Sequence, residues 1–176
     1  MKKMLLGGIK KTFINNMDHT QIKETLDSIE YIDLGLSVKW ANCNLGTKTS
    51  EETGHRFTSD EKTEVDYVKI PTKKQWDELI KNCTWKWKSG KNPGCLVTGK
   101  NGNSIFLPAC GELNTDGLKE VCIAGSYWSS TIMRTANKWG YYFSFMYGIY
   151  NWEYKINKGV YSTLLSARTL VIRPVQ

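Results

Sequence analysis

Histidine is scarce in this chain of 176 residues, which has only His19 and His55. Catalytic mechanisms that need a positioned imidazole therefore have few candidate residues. His55 is near three carboxylates in the sequence, so its segment is either a metal cluster or a charged, solvated loop, and we favour the loop. These carboxylates belong to Glu51, Glu52 and Asp60. The sequence predicts no catalytic residue, no metal site and no cofactor.

The cysteines lack the spacing of a zinc site, because none of the five forms a CxxC pair. Their odd number also gives little support to a disulfide framework. We therefore expect most of them to be small, buried hydrophobic side chains. They are Cys43, Cys83, Cys95, Cys110 and Cys122.

Long hydrophobic runs are missing as well. The apolar run at residues 4–9 ends at Lys10 and Lys11, which leaves it short for the hydrophobic region of a signal peptide. No stretch approaches the length that crosses a membrane. The sequence therefore carries no convincing export signal and predicts no membrane span, and it leaves the location of the protein open.

Aromatic residues, by contrast, are crowded into one segment. Residues 127–154 hold eleven of the twenty-one aromatic side chains, and from Ser126 onward six basic residues accompany a single acid, Glu153. Tyr and Trp suit recognition surfaces as well as cores, because they join a large rigid area to a polar tip. A basic aromatic surface favours anionic or sugar-like partners. No run of adjacent Lys or Arg marks a phosphate-tracking stripe, which argues against nucleic acid as a partner.

Two elements carry specific local signals. Thr72 and Gln75 have the spacing of a capping box, and apolar residues follow at helical intervals. Asn101-Gly102 between two apolar stretches predicts a β-hairpin. The apolar stripe of the predicted helix is Trp76, Leu79, Ile80 and Cys83, and Trp76 is expected in the core together with Trp128.

The remaining segments before residue 70 are less distinctive. Residues 1–30 are expected to form an N-terminal appendage with a short helix that Asp18 caps. Residues 31–40 are interpreted as a strand interrupted at Gly35, and residues 46–66 as a long polar surface loop. The apolar stripe of the appendage is Ile22, Leu26 and Ile29.

Strand periodicity dominates the aromatic segment. Every second residue along one stretch is aromatic, which places five rings on one face of a strand. These rings are Trp139, Tyr141, Phe143, Phe145 and Tyr147, and the middle three are expected in the core. Gly148 ends this regular alternation.

A second alternation follows Gly148, and its aromatic members are Tyr150, Trp152 and Tyr154. A second amphipathic strand would bury these rings, whereas a loop-like binding surface would expose them, and the sequence leaves both alternatives open. A good helix early in the chain and several short strands later predict an α+β domain with an antiparallel sheet.

Five short motifs, in order, make residues 31–176 resemble the C-type-lectin-like fold. More closely, they are similar to the Fibrobacter-type major paralogous domain and Lcl-type C-terminal domain family. The motifs lie at residues 31–46, 70–79, 102–108, 127–130 and 171–175. The resemblance implies a C-type-lectin-like domain at 31–176, with short antiparallel sheets and one or two helices, after the helical appendage at 1–30.

The same fold is the scaffold of variable proteins that retroelements diversify, and the end of this chain is similar to theirs. The shared landmarks are YWS at 127–129, FMYG at 145–148 and VIRPV at 171–175. In that group the positions between the landmarks carry the binding surface, although residues 161–168 are longer and less aromatic here. The ligand-binding candidates that this resemblance implies are Tyr142, Ser144, Met146, Tyr147, Ile149, Tyr150, Asn151, Trp152, Tyr154 and Lys155.

Two other activities of this fold are not expected. Sugar-binding C-type lectins hold calcium through oxygen-rich motifs, and residues 91–93 and 151–153 supply too few oxygen ligands for that. Formylglycine-generating enzymes need a cysteine pair near the C-terminal end, and the last cysteine here is Cys122.

The sequence therefore predicts a non-enzymatic module that binds a protein or glycan receptor through an aromatic, basic surface near its C-terminus. Whether it is a retroelement-diversified variable protein stays open. The alternative is a structural component of a cell-surface or virion assembly that docks through residues 1–30. The resemblance implies a surface or virion location in either case.

Overall fold

A computed structural model describes residues 19–136, 138–150 and 153–176, which form a mixed α+β structure made mostly of sheet. The helices within these ranges are α1 (His19–Leu26), α2 (Ser59–Glu64) and α3 (Lys73–Asn82). The early strands are β1 (Tyr31–Ile32), β2 (Trp40–Ala41), β3 (Arg56–Phe57), β4 (Thr84–Lys88), β5 (Gly94–Thr98) and β6 (Ser104–Pro108). The later strands are β7 (Glu112–Asn114), β8 (Gly117–Lys119), β9 (Ala124–Ile132), β10 (Trp139–Tyr150), β11 (Glu153–Leu164) and β12 (Arg168–Val171). The predicted α+β class is confirmed.

The strands form three sheets. β1 pairs with β2, and β4, β5 and β6 form an antiparallel sheet in that order. The largest sheet has the order β11-β10-β9-β12-β7-β8, with β3 also paired to β12 and a parallel pairing between β12 and β9. Across the described ranges, no helix is both long and apolar enough to cross a membrane.

Two hydrophobic cores lie on opposite faces of β9 and β10, because successive side chains of a strand point to opposite faces. The main core packs α3 and the β4–β6 sheet on one face, and the second core packs α1, β3 and the chain after α2 on the other. Large members of the main core are Trp40, Trp76, Tyr127, Phe143 and Phe145. Large members of the second core are Ile22, Phe57, Trp128, Leu170 and Ile172.

Helix α3 begins as its sequence predicts. The Thr72 hydroxyl accepts a hydrogen bond from the Gln75 N–H at 3.3 Å, and the Gln75 side chain accepts from the Thr72 N–H at 2.7 Å. Both N-terminal donors are therefore satisfied by the predicted capping box. Trp76 and Leu79 are fully buried, and the later members of the stripe pack against the same core.

The hairpin β5–β6 is also confirmed. Thr98 pairs with Ser104 next to the Asn101-Gly102 turn, where Gly102 has a φ of +85°. That conformation favours glycine, which has no Cβ to clash. The Asn101 side-chain amide also donates to the Asp33 carbonyl at 2.9 Å, which fastens the turn to the early part of the chain.

The interpretation of residues 46–66 as a surface loop is wrong, because this segment contains β3 and α2 and contributes Phe57 to the second core. The Thr58 and Glu61 side chains form a second capping box at the start of α2. Residues 31–40 likewise form no interrupted single strand. The chain turns at Gly35, whose φ is +72°, so that β2 pairs back on β1.

The described part of the N-terminal segment packs on the rest of the chain. Ile22 on α1 and Ile29 just after it are buried in the second core, and Leu26 packs against that core. The apolar stripe predicted here therefore covers one face of the domain. Asp18, the predicted cap, lies outside the described residues.

Lys62 on α2 is a buried cation. Its ammonium donates a hydrogen bond to the Ser129 carbonyl at 3.0 Å and lies 4.7 Å from the centre of the Trp128 ring. Burial disfavours the charged form and lowers the pKa of Lys62 to about 8. The fold therefore carries this charge at a free-energy cost near neutral pH.

We expect the wild type to gain stability relative to Lys62→Met as the pH rises from 7 to 10. The folded state releases the Lys62 proton near pH 8, whereas the unfolded chain holds it to about 10.5. The unfolded state thus binds more protons in this window, so the wild-type free energy of unfolding rises relative to the variant by about 2 to 3 kcal/mol. Urea unfolding of both proteins at pH 7 and pH 10 measures this shift.

Comparison with the variant is needed because other groups titrate in the same window. Burial raises the pKa of Cys95 to about 12, so both proteins lose stability as the pH rises above the unfolded thiol pKa of 9.0. The difference between the two proteins removes this shared loss. A difference that stays constant with pH would contradict a buried, charged Lys62.

Candidate functional site

The long hairpin of β10 and β11 carries most of the predicted recognition residues. The two strands pair from Trp139 with Leu164 to Tyr150 with Glu153. β10 runs through Gly148, so the aromatic alternation ends there within a single strand. Residues 151–152 lie outside the described ranges.

The five predicted rings differ in burial, and the pairing of β10 with β9 shifts register between Gly140 and Tyr142. Phe143 and Phe145 are buried in the main core, as predicted. Tyr141 is only half-buried and Trp139 is 41% exposed, so the core prediction for Tyr141 is wrong. The shift places two extra residues in β9, whereas the pairing of β10 with β11 stays unbroken.

The candidates Tyr142, Ser144 and Met146 lie on the hairpin face that turns away from the main core. Tyr142 is only 9% exposed and packs in the second core, so the expectation that it presents an open recognition surface is wrong. The guanidinium of Arg168 covers its ring at 4.5 Å, and the Tyr161 ring lies 5.8 Å away. Burial raises the pKa of Tyr142, and Arg168 opposes that rise.

A cavity of about 240 Å³ lies beside Tyr142, and Ser144 and Met146 line it. Part of its polar wall is paired within the protein. Arg168 forms an ion pair with Glu112 and donates to the Thr163 hydroxyl at 3.0 Å. Ser144 and Ser126 share a hydroxyl hydrogen bond at 3.1 Å. These internal bonds make the wall a structural network that joins the hairpin to β7 and β12.

The opposite face of the hairpin carries a row of near-parallel rings. The Trp87 and Tyr147 ring centroids are 4.5 Å apart with an interplanar angle of 8°. Tyr147 and Tyr154 follow at 5.4 Å and 22°. The sequence left open whether Tyr154 is buried or exposed. In the structure its side chain is 67% exposed.

These rings border an open groove of about 470 Å³ between β4 and β11, which we call the aromatic groove. β4 and β11 are the edge strands of their sheets. The residues that line the groove are Trp85, Lys86, Trp87, Tyr147, Tyr154, Lys155, Ile156 and Lys158. The hairpin candidates Tyr147, Tyr154 and Lys155 therefore meet here, together with two tryptophans of β4.

Trp85 and Trp87 were not among the predicted site residues. The signal is present as Trp-Lys-Trp-Lys at 85–88, where alternation places both tryptophans on one face of a strand. Both are half-buried and pack against the main core. They lie beside the hairpin because β4 is placed next to β11, which is distant in the sequence. The local pattern does not specify that placement.

The charge of the aromatic groove comes from lysines. The Lys158 ammonium lies 5.5 Å from the centre of the Trp85 ring, in the range of a cation–π contact. The Lys155 ammonium pairs with the Glu153 carboxylate at 2.9 Å. The residues that line the groove include three lysines and no Asp or Glu.

Ile149 is the remaining candidate whose side chain the structure describes. Ile149 is 60% exposed and pairs in register with Tyr154, so it extends the same face toward the turn. Predictions about the Tyr150 side chain, Asn151 and Trp152 concern parts of the chain that the structure does not describe.

The described ranges contain no group of three or more His, Cys, Asp and Glu side chains that could hold a metal. His55 is buried with its ring 4.6 Å from the Phe57 ring, so the solvated-loop interpretation of this position is wrong. All five cysteines are free thiols, and Cys43, Cys95 and Cys110 are buried.

Comparisons with protein-family models, with curated proteins and with solved structures find no match to this chain. The aromatic groove therefore has to be interpreted from its own geometry and charge.

Proposed function

We propose that this protein is a non-enzymatic binding module of C-type-lectin-like fold that recognises a protein or glycan receptor through the aromatic groove. The observation that carries the proposal is the row of Trp87, Tyr147 and Tyr154, whose outermost ring stays largely in solvent. The mixed α+β architecture and the motif resemblance support the fold assignment.

The row suits recognition because it is held in place before any ligand arrives. Trp87 is on a strand of one sheet, and Tyr147 and Tyr154 are on paired strands of another. Stacking restricts the rotamers of all three side chains. A ligand that covers them therefore costs these side chains little additional conformational entropy. Exposed Tyr and Trp side chains are also the types that dominate the binding energy of interfaces.

The resemblance to retroelement-diversified variable proteins also supports recognition by the part of the hairpin that borders the aromatic groove. Ile149 and Tyr154 lie in the stretch that varies in that group, and Tyr147 belongs to the FMYG landmark just before it. All three are on the face of the aromatic groove. A near-copy of the 3′ end of the gene, altered mainly at adenines and accompanied by a reverse transcriptase gene, would test whether this chain is diversified.

The alternative function is a structural component that docks through residues 1–30. It would depend mainly on residues 1–18, which lie outside the described ranges. Ile22 and Ile29 are already buried against the second core. No contact of the described residues favours this alternative over the groove.

Tyr154→Ala tests the proposal. Arrays of glycans and peptides probed with wild-type protein should show binding that Tyr154→Ala reduces at least tenfold, because the most exposed ring of the groove is lost. Tyr161→Ala is the matched control, since Tyr161 is 42% exposed on the opposite face of the same hairpin. The proposal would be contradicted if both variants lost binding equally, or if Tyr154→Ala lost no binding.

A further inference from the structure

We infer that the aromatic groove takes an acidic sugar chain, that is, a linear oligosaccharide that contains uronic acid units. The inference rests on the proposed function and names the ligand class of the same site. Its first support is charge: Lys86, Lys155 and Lys158 line the groove, whereas no carboxylate does. Because Lys155 is already paired with Glu153, Lys86 and Lys158 supply most of the charge that a ligand can neutralise.

The second support is the shape and chemistry of the walls. The C–H groups on one face of a pyranose ring pack on an aromatic face, where their slight positive charge meets the negative π cloud. Tyr154 offers such an exposed ring, and Trp85 lies beside the Lys158 ammonium. A uronic acid could therefore place its ring on an aromatic wall and its carboxylate on a lysine within one sugar unit.

The third support is the openness and direction of the groove. An acidic peptide would also match the lysines, so oligoglutamate is the competing probe for this site. The aromatic groove is an open trough between two edge strands. Along β11, the distance from Tyr154 to Lys158 is about 13 Å, which suits an extended chain of a few sugar units.

Titration calorimetry with three probes of similar length tests the inference: oligogalacturonate, neutral malto-oligosaccharide and oligoglutamate. We expect oligogalacturonate to bind at least tenfold more tightly than either of the others. Its affinity should fall as salt is added, because added ions screen the exposed lysines. Equal binding of oligoglutamate would overturn the sugar assignment, and equal binding of the neutral sugar would overturn the acidic one. No binding of oligogalacturonate would also overturn the inference.

Two variants separate charge from stacking at this site. Lys158→Gln should weaken oligogalacturonate binding about threefold to tenfold, and Tyr154→Ala should weaken it at least tenfold. Lys138→Gln is the control, because Lys138 is an exposed lysine that does not line the groove. Equal effects of Lys158→Gln and Lys138→Gln would show that only the overall charge of the protein matters.

Failure of the inference can be told apart from failure of the proposed function. A ligand on the arrays that needs Tyr154 but contains no acidic sugar would end the inference and leave the binding module intact. If Tyr154→Ala leaves array binding unchanged, the aromatic groove is not the recognition site.

Discussion

Replacing Trp76 with alanine should lower the free energy of unfolding by about 3 to 5 kcal/mol, the range for large aromatic side chains removed from a core. Trp76 is fully buried and stacks on Phe143, with ring centroids 4.4 Å apart and an interplanar angle of 12°. Its ring also lies 4.7 Å from that of Trp40, and its indole N–H donates to the Trp128 carbonyl at 3.3 Å. The substitution leaves a cavity and an unpaired carbonyl between α3 and the large sheet.

Trp139→Ala is the matched control for this measurement. Trp139 is 41% exposed at the far end of the hairpin, so its loss should cost less than about 1 kcal/mol. Denaturant unfolding of both variants gives the comparison. Similar losses of stability would mean that Trp76 is not the centre of the main core.

The second large effect concerns binding rather than folding. Trp87→Ala combined with Tyr154→Ala should weaken receptor binding about 30-fold or more, which corresponds to at least 2 kcal/mol for a pair of interface hot spots. Tyr147 would keep its place on β10 but lose both of its stacking partners. Because Trp87 is half-buried, we also expect a stability loss of about 1 to 2 kcal/mol, so binding must be measured well below the melting temperature.

The control pair is Trp139→Ala with Tyr161→Ala, which removes one Trp and one Tyr from the β10–β11 hairpin. Tyr161 lines the cavity on the opposite face, and Trp139 lies at the other end of β10. Affinity should change less than threefold in this control. If the control pair loses binding and the groove pair keeps it, the ligand site is the cavity beside Tyr142.

Local signals in the sequence predicted the elements that depend on near neighbours. The capping box at Thr72 and Gln75 and the Asn101-Gly102 turn both appear where they were expected, because each is formed by hydrogen bonds or dihedral angles within a few residues. The second capping box at Thr58 and Glu61 carries the same signal, and its polar surroundings led to the loop interpretation of α2.

Features that depend on distant parts of the chain were harder to predict. Alternation correctly placed Phe143 and Phe145 in the core, but it could not show that a second core covers Tyr142 from the other side. The bulge near Gly140 is set by pairing with β9. Trp85 and Trp87 join the site only because the β4–β6 sheet packs beside β11, and no short-range pattern reveals that neighbour.

The resemblance and the structure support different parts of the candidate site. Among the ten candidates, Tyr147, Tyr154 and Lys155 line the aromatic groove, and Ser144 and Met146 line the cavity on the opposite face. The groove and the cavity lie on opposite faces of the hairpin, so one small ligand cannot contact both sets. The stacked and exposed rings favour the first set.

Hydroxyl-radical footprinting tests the groove most directly, because it reports the solvent access of individual side chains. Wild-type protein is compared with and without the ligand that it binds best on the arrays. The ligand should reduce oxidation of Trp87, Tyr147 and Tyr154 and leave Tyr161 and Trp139 unchanged. Protection of Tyr161 with no protection of Tyr154 would contradict the account, because it would place the ligand on the other face of the hairpin.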